Sequence, residues 1–333
     1  MDKEKFTLLY NIMLGHLPKG IRQYSGLPPF FTGYSYGTLY DWDQYFEGIV
    51  QLYADYSPVY IKNGVKIFLS RQHDNGHIDR TCPEGGGESY IKHRVHVKPF
   101  LAQEIVMCYQ VEQDLGWLQK DNRYERLRKY LFYWLDHEDV RGEGLSVWEE
   151  AGHTGMDNHY ERCGKWEGPR RFCEGVDLNA YLVREARAMA LIAQAMGRND
   201  DAELFNRKSE ARAAAMQKYM WNEEDGLFYD YHTLENRQIK VKHVGIFAAL
   251  WAGVASKEQA DRMVNEHMRN ENEFWREYPL PAYAATEPGY AIGYLEGNST
   301  GCCSWRAHTW VPTNYYAFQG LRNYGYDEVA REL

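Results

Sequence analysis

The feature that most constrains this chain is a recurring pair of amphipathic helical segments. In 177–197, Leu178, Leu182, Met189, Ile192 and Met196 fall on one stripe, while Arg184, Glu185 and Arg187 fall elsewhere. That is the period of a helix with one buried face, and Gly197 is placed to cap its end. After a short turn, 200–221 starts with acidic residues suited to the positive end of a helix dipole. A second pair spans 242–254 and 256–268, where Ser256 and Gln259 form a capping-box pattern. Segments 42–55, 58–71, 97–114 and 122–137 repeat the pairing.

Between the pairs lie long connections at 72–96, 138–176, 222–241 and 271–304. Loops of that length tend to carry function. Short turns at one end and long loops at the other predict an all-α fold. The form expected is an (α/α)6 toroid of helical hairpins, a single domain over 1–333, with its site on the long-loop face. The stretch 324–333 opens a helix with Asp327 as the expected N-cap and then stops after about two turns. The last hairpin is therefore expected to be incomplete, leaving an apolar face open to self-association.

The net charge of -9 argues against nucleic acid or an anionic membrane as main partner. No apolar run of about eighteen residues is present, and the first twenty residues do not read as a secretory signal. A cytoplasmic protein is expected. The six cysteines (Cys82, Cys108, Cys163, Cys173, Cys302 and Cys303) form no CxxC pair, so free thiols are expected. Aromatic residues make up 15% of the chain; such flat rings can line a site for flat ligands or sugar rings, and large helical cores use them too.

Three islands could carry chemistry. In YGTLYDWDQYFEGI (36–49), Tyr40, Trp42, Asp43 and Tyr45 run into a helix, with Asp41 or Asp43 as an alternative N-cap. VWEEAGHTGMDNHYERCGKW (147–166) holds Glu149, Glu150, Asp157, His153, His159, Trp148 and Trp166. Asp157 can be a turn residue, since Asp-Asn pairs bond their own backbone, or an acid. A metal site of His153, Asp157 and His159 matches no standard ligand spacing, and no metal is expected. In GCCSWRAHTWVPTNYY (301–316), Trp305, Arg306, His308 and Trp310 are expected to begin the last full helix, with Arg306 a ligand or a buried ion-pair partner.

GMDN after a Trp-Glu stretch resembles the W-E-S-G-M-D-N signature of glycoside hydrolase family 63 and its trehalase relatives. YDWDQYF, EGVDLNAYLVREARAMALIAQAMG and SWRAHTWVPTNYYAFQGLRNYGY are similar to three further elements of that family, in the same order. The resemblance implies an (α/α)6 barrel and an inverting hydrolase of α-glycosidic bonds. In such an enzyme a protonated carboxylic acid donates to the leaving oxygen, while a second carboxylate activates water on the opposite face. Asp157 matches the acid, with a pKa expected to be raised by apolar surroundings. A substrate-binding set of Tyr40, Trp42, Asp43, Lys98, Trp148, Asn158, Trp305, Arg306 and Trp310 is implied, acting on a small α-linked glucoside or mannoside. No cofactor is implied.

The chain departs from the family in three places. AGHT intervenes before Gly155, Lys98 stands where the family has a glutamine, and Ala307-His308 replaces Gly-Pro. These changes bear on the substrate more than the fold. No residue matches the family's general base, a glutamate beyond the helix in which this chain ends. Glu149, Glu150, Glu277, Glu287 and Glu296 are alternatives as carboxylates, and a chain without the base is expected to be crippled in catalysis. A sugar epimerase on a similar toroid and a non-catalytic sugar-binding relative are the rival readings.

Overall fold

The computed structural model describes residues 3–33, 37–88, 95–164, 171–290 and 305–333. They group into two compact units, 1–133 with 185–206, and 134–184 with 207–333. Trp166, Glu296, Cys302 and Cys303 lie outside the described residues.

The first unit opens with α1 (Lys3–His16), which buries none of its residues. The short strands β1 (Ile21–Arg22) and β2 (Phe30–Phe31) pair antiparallel. Next, β3 (Leu39–Tyr40) runs directly into α2 (Asp41–Tyr53), and a short turn leads to α3 (Val59–Ser70). After a loop, β4 (Thr81–Cys82) returns to pair with β3, Tyr40 opposite Thr81. Helices α4 (Leu101–Glu112) and α5 (Arg123–Phe132) follow.

Helix α4 carries no side-chain cap of its own. Two of its orphan N–H groups, at Ala102 and Gln103, are donated to the carboxylate of Glu185, at 2.6 and 3.2 Å. A negative charge at a helix N-terminus is favoured both by those donors and by the dipole. Tyr130 Oη donates to the same carboxylate at 3.0 Å. One buried glutamate from a distant helix thus caps the start of α4 and ties it to α5.

The second unit contains the short helices α6 (Ala151–Thr154) and α7 (Tyr160–Cys163) and strand β5 (Cys173–Glu174). The long helices α8 (Val176–Ala195) and α9 (Asn199–Tyr219) contribute to both units. Gly197 between them has φ +73°, as its capping position anticipated. The strands β6 (Trp221–Asn222) and β7 (Leu227–Phe228) form a hairpin, and β8 (Asp230–His232) pairs with both β5 and β9 (Arg237–Ile239). Those strands occupy a connection whose sequence carries no alternation long enough to announce them.

The pair expected over 242–268 is more broken than its periodicity suggests. It consists of a 3-10 turn (Val244–Phe247), α10 (Ala248–Trp251), α11 (Lys257–Arg262) and a π turn (Met263–Met268). The capping box of Ser256 and Gln259 is present. Helix α12 (Val311–Asn323) packs on α10 through Gly320, where a Cβ would stand 2.8 Å from Leu250 Cβ and 3.0 Å from the Trp251 backbone nitrogen. The last element is α13 (Asp327–Glu332), whose Val329 and Ala330 are buried.

Three local expectations are corrected. Tyr40, not Asp41 or Asp43, occupies the N-cap of α2, without a side-chain cap bond. Trp305 to Trp310 precede the last full helix rather than begin it, because extended backbone at Trp310 delays the helix to Val311 and Pro312. Tyr326 holds the cap position of α13, and Asp327 is its first helical residue. Among the described residues, Cys82, Cys108, Cys163 and Cys173 are free thiols, and no helix is long and apolar enough to cross a membrane.

Candidate active site

The first unit assembles Tyr40, Trp42, Asp43 and Lys98 around the β3–α2 junction. Asp41, which the sequence offered only as a cap, is the anchor. Its carboxylate accepts the Trp42 N–H at 2.8 Å and the Lys98 N–H at 2.9 Å, and the Lys98 ammonium stands 3.3 Å away. Arg80 lies 3.7 Å from the same carboxylate and 5.9 Å from the Tyr40 ring. Burial alone would raise the Asp41 pKa, but Lys98 and Arg80 reverse this and hold it below the usual carboxylate range. Lys98 is lowered to about 8 by burial and by Arg80, against the pull of Asp41.

Lys98 has no exposed surface, and its charge sits 5.3 Å over the Trp42 ring. It therefore fixes the indole and its neighbouring backbone instead of reaching outward. Trp42 is also nearly enclosed, edge-on to Phe46 at 5.8 Å. Tyr40 and Asp43 are partly exposed. One turn beyond Asp43 on α2, Glu47 accepts the Gly33 N–H at 2.7 Å. Its pKa is pushed up to about 8 by burial and by the nearby charge of Asp43.

In the second unit, Asp157 and Asn158 form the turn between α6 and α7. Asp157 is a turn residue, the first of its two readings, and it is half-buried. The Asn158 side chain accepts the Trp305 N–H at 2.9 Å, pinning the turn to the chain before α12. His159 stacks on Tyr283 at 4.1 Å and 12°. Burial, and then Arg162, keep that imidazole neutral with its pKa well below the ordinary value.

Beneath the turn lies a fully buried charge network that the sequence did not single out. Arg162 Nε bonds Asp230 at 2.5 Å, while Nη1 and Nη2 bond the two oxygens of Asp177 at 3.1 and 2.9 Å. This forked geometry is what a guanidinium offers and an ammonium does not. Asp177 also accepts the Trp148 indole N–H at 2.8 Å, and Asp230 accepts the Val176 N–H at 2.8 Å. His243 completes the set, 3.3 Å from Asp230. Trp148 has no exposed surface and packs edge-on to Trp134 and His153. Like Lys98, it supports other residues and does not reach outward.

Arg306 bonds Glu161 at 2.7 Å, and Tyr283 Oη donates to the other oxygen of that carboxylate at 2.8 Å. Burial favours a raised pKa for Glu161, but these two bonds leave it lowered. Arg306 is thus a buried ion-pair partner, one of the two alternatives its sequence context left open. Trp305 and Trp310 stack face to face at 4.2 Å and 9°, Trp305 buried and Trp310 partly exposed. Of the carboxylates considered as a base, Glu150 is buried beside α6, Glu277 is exposed, and Glu287 accepts the Lys242 N–H at 3.0 Å. His153 packs against Trp134 and Trp148, and His159 against Tyr283. A signal for Arg162 and Asp177 was present in the same acid-loop and V-D-L-N stretches, but nothing marked Asp230 as their partner.

The fold is that of the (α/α)6-barrel glycosidases. It is similar to a family 63 mannosylglycerate hydrolase from Thermus thermophilus solved with glucose. That match has a TM-score of 0.73 and 18% identity, and covers 97% of this chain and 89% of that one. The same hydrolase solved with Tris and D-glycerate matches at a TM-score of 0.72, with 18% identity and the same coverage. The neutral trehalase of Saccharomyces cerevisiae matches at 0.67 with 19% identity, over 92% of this chain and 65% of that one.

The profile of the mannosylglycerate hydrolase MGH1-like glycoside hydrolase domain matches residues 36–333, and the chain belongs to that family. It is a glycoside hydrolase.

Proposed function

We propose that the protein is an inverting α-glycosidase that removes a single sugar, a glucose or mannose unit, from a small aglycone such as glycerate or a second sugar. The observation that carries this reading is the placement of Asp157. The residue that matches the family's acid sits half-buried in a turn pinned by Asn158 to Trp305, beside Met156, whose sulfur accepts from the buried Arg162. A turn anchored in this way fixes the backbone from which the Asp157 carboxyl projects, and positioning is what proton donation to a leaving oxygen requires.

In this reading Asp157 donates its proton to the glycosidic oxygen as the bond breaks. Inversion also requires a carboxylate roughly 6.5–9.5 Å from the acid to take the proton of the attacking water, and the family resemblance matches no residue of this chain to that role. In the same reading Tyr40 and Asp43 keep exposed surface that can hold a sugar, the ring by stacking and the carboxylate by accepting hydroxyl bonds, while the enclosed Trp42 supports them. Trp310 offers a further stacking face. A glycosylglycerate is supported by the family to which the chain belongs and by the D-glycerate complex of its structural relative.

The test is Asp157→Asn assayed on mannosylglycerate, glucosylglycerate and trehalose, with the product anomer followed by NMR. A loss of about 10²–10⁴-fold in kcat with KM little changed is expected, with the inverted anomer formed first. Retention of more than about a tenth of the rate would remove Asp157 as the acid. Binding of these sugars without turnover by the native chain would make it a sugar-binding relative, and initial release of the retained anomer would overturn the inverting step.

A further inference from the structure

The loop between α3 and β4 carries His73, His77 and Asp79 in the run HDNGHID, a cluster that the glycosidase reading does not use. The loop is folded back tightly on itself. The His73 N–H donates to the His77 carbonyl at 2.8 Å, the Gly76 N–H to the His73 carbonyl at 2.9 Å, and the His77 N–H to Asn75 Oδ1 at 3.0 Å. Its far end is fixed to the chain at 96–97: Ile78 donates its N–H to His96 Nδ1 at 2.9 Å and accepts the Val97 N–H at 2.8 Å.

This geometry aims two imidazoles at one carboxylate. His73 Nε2 stands 3.8 Å from Asp79 Oδ2, His77 Nδ1 stands 3.7 Å from Asp79 Oδ1, and the three ligand atoms all lie within 4.8 Å of one another. Both His–Asp separations exceed hydrogen-bond length. They approach the roughly 3.3–3.5 Å between two ligands that bind a tetrahedral ion at about 2.0–2.2 Å. His77 and Asp79 are nearly buried, whereas the His73 side chain is 35% exposed.

We propose that His73, His77 and Asp79 bind one zinc ion, with solvent as the fourth ligand. Two imidazoles and a carboxylate suit zinc and its borderline neighbours, whereas magnesium and calcium take all-oxygen sets. The ion staples the turn that leads into β4 and holds Arg80, the next residue, toward Asp41. The site is independent of the glycosidase reading and stands or falls without it.

The experiment uses the chelator-treated full chain and its His73→Gln variant. Calorimetry with zinc chloride, absorption with cobalt chloride and melting with and without zinc or magnesium are measured on both. One zinc per chain, four-coordinate cobalt bands and a zinc-dependent rise in Tm absent with magnesium are expected. His73→Gln should weaken zinc binding by about tenfold or more, since even partners behind the ligands cost that much, while the metal-free Tm stays the same. Absence of saturable zinc uptake, or uptake of unchanged affinity in His73→Gln, overturns the proposal. Asp79→Asn, measured by the same cobalt bands, provides a second ligand variant with the same two readings.

Discussion

At the scale of single residues, Arg162 holds the buried charges of the second unit together. Among the described residues it is the guanidinium bonded to both Asp177 and Asp230, all three wholly buried. Attraction between such charges roughly offsets the cost of taking them out of water, so the network as a whole contributes little net stability. Removing one partner is different, because it strands the others. Arg162→Ala is expected to destabilise the fold by about 3–5 kcal/mol, measured as the shift in urea midpoint at constant m-value. Arg162→Lys keeps the charge but not the fork, and should fall between the native protein and Arg162→Ala. Equal stability of the native and lysine forms would show that the paired geometry of the guanidinium is unimportant.

At the scale of elements, α10 and α12 meet at a point where only glycine fits. In an exposed helix, glycine to alanine gains about 1 kcal/mol through propensity alone. At Gly320 the added carbon would lie 2.8 Å from Leu250 Cβ and 3.1 Å from the Leu250 carbonyl carbon. Both belong to backbone-bound atoms that cannot rotate away. Overpacking of this type costs about 1–3 kcal/mol, so Gly320→Ala is expected to lower Tm, and an unchanged or higher Tm would show that the helices separate freely. The capping of α4 by Glu185 makes the same point, since a helix boundary can be set by a residue from another element.

At the scale of the whole molecule, buried ionisable groups set the response to pH. Glu47 and Glu185 are raised to about 8 and about 7, chiefly by burial, and Glu104 is raised well above the ordinary range. A carboxyl whose folded pKa is raised binds its proton more tightly when folded. Its contribution is complete below the unfolded value near 4.5 and is lost as pH climbs through the folded value. His159 and His243, lowered by burial, act the other way, but only below their unfolded value near 6.5. Lys98, lowered to about 8, begins to add stability only above that pH. Stability is therefore expected to fall between pH 6.5 and 8. Glu47→Gln, which keeps an acceptor for the Gly33 N–H, should lessen that fall by about 1–2 kcal/mol. Urea midpoints at the two pH values, native against variant, decide it; parallel slopes would refute the assignment to Glu47.

What the sequence by itself determined is local in origin. The 3.6-residue recurrence of Leu178, Leu182, Met189 and Ile192 required a helix whatever lay nearby, and Ser256 with Gln259 specified their own cap. The four ordered motifs brought the family and Asp157 with them. What only the tertiary structure decided depends on partners far apart in the chain. Asp41 reads as a cap until Lys98 arrives 57 residues later to bond it, and Asp230 reads as a loop acid until it meets Arg162 across 68 residues. Trp148 and Lys98 read as ligands for a sugar until burial turns them inward. Periodicity and capping act within a turn or two of backbone, so they are legible along the chain. Whether a charged side chain ends in water or in a buried pair depends on which distant side chain is folded against it, and no short window of sequence contains that information.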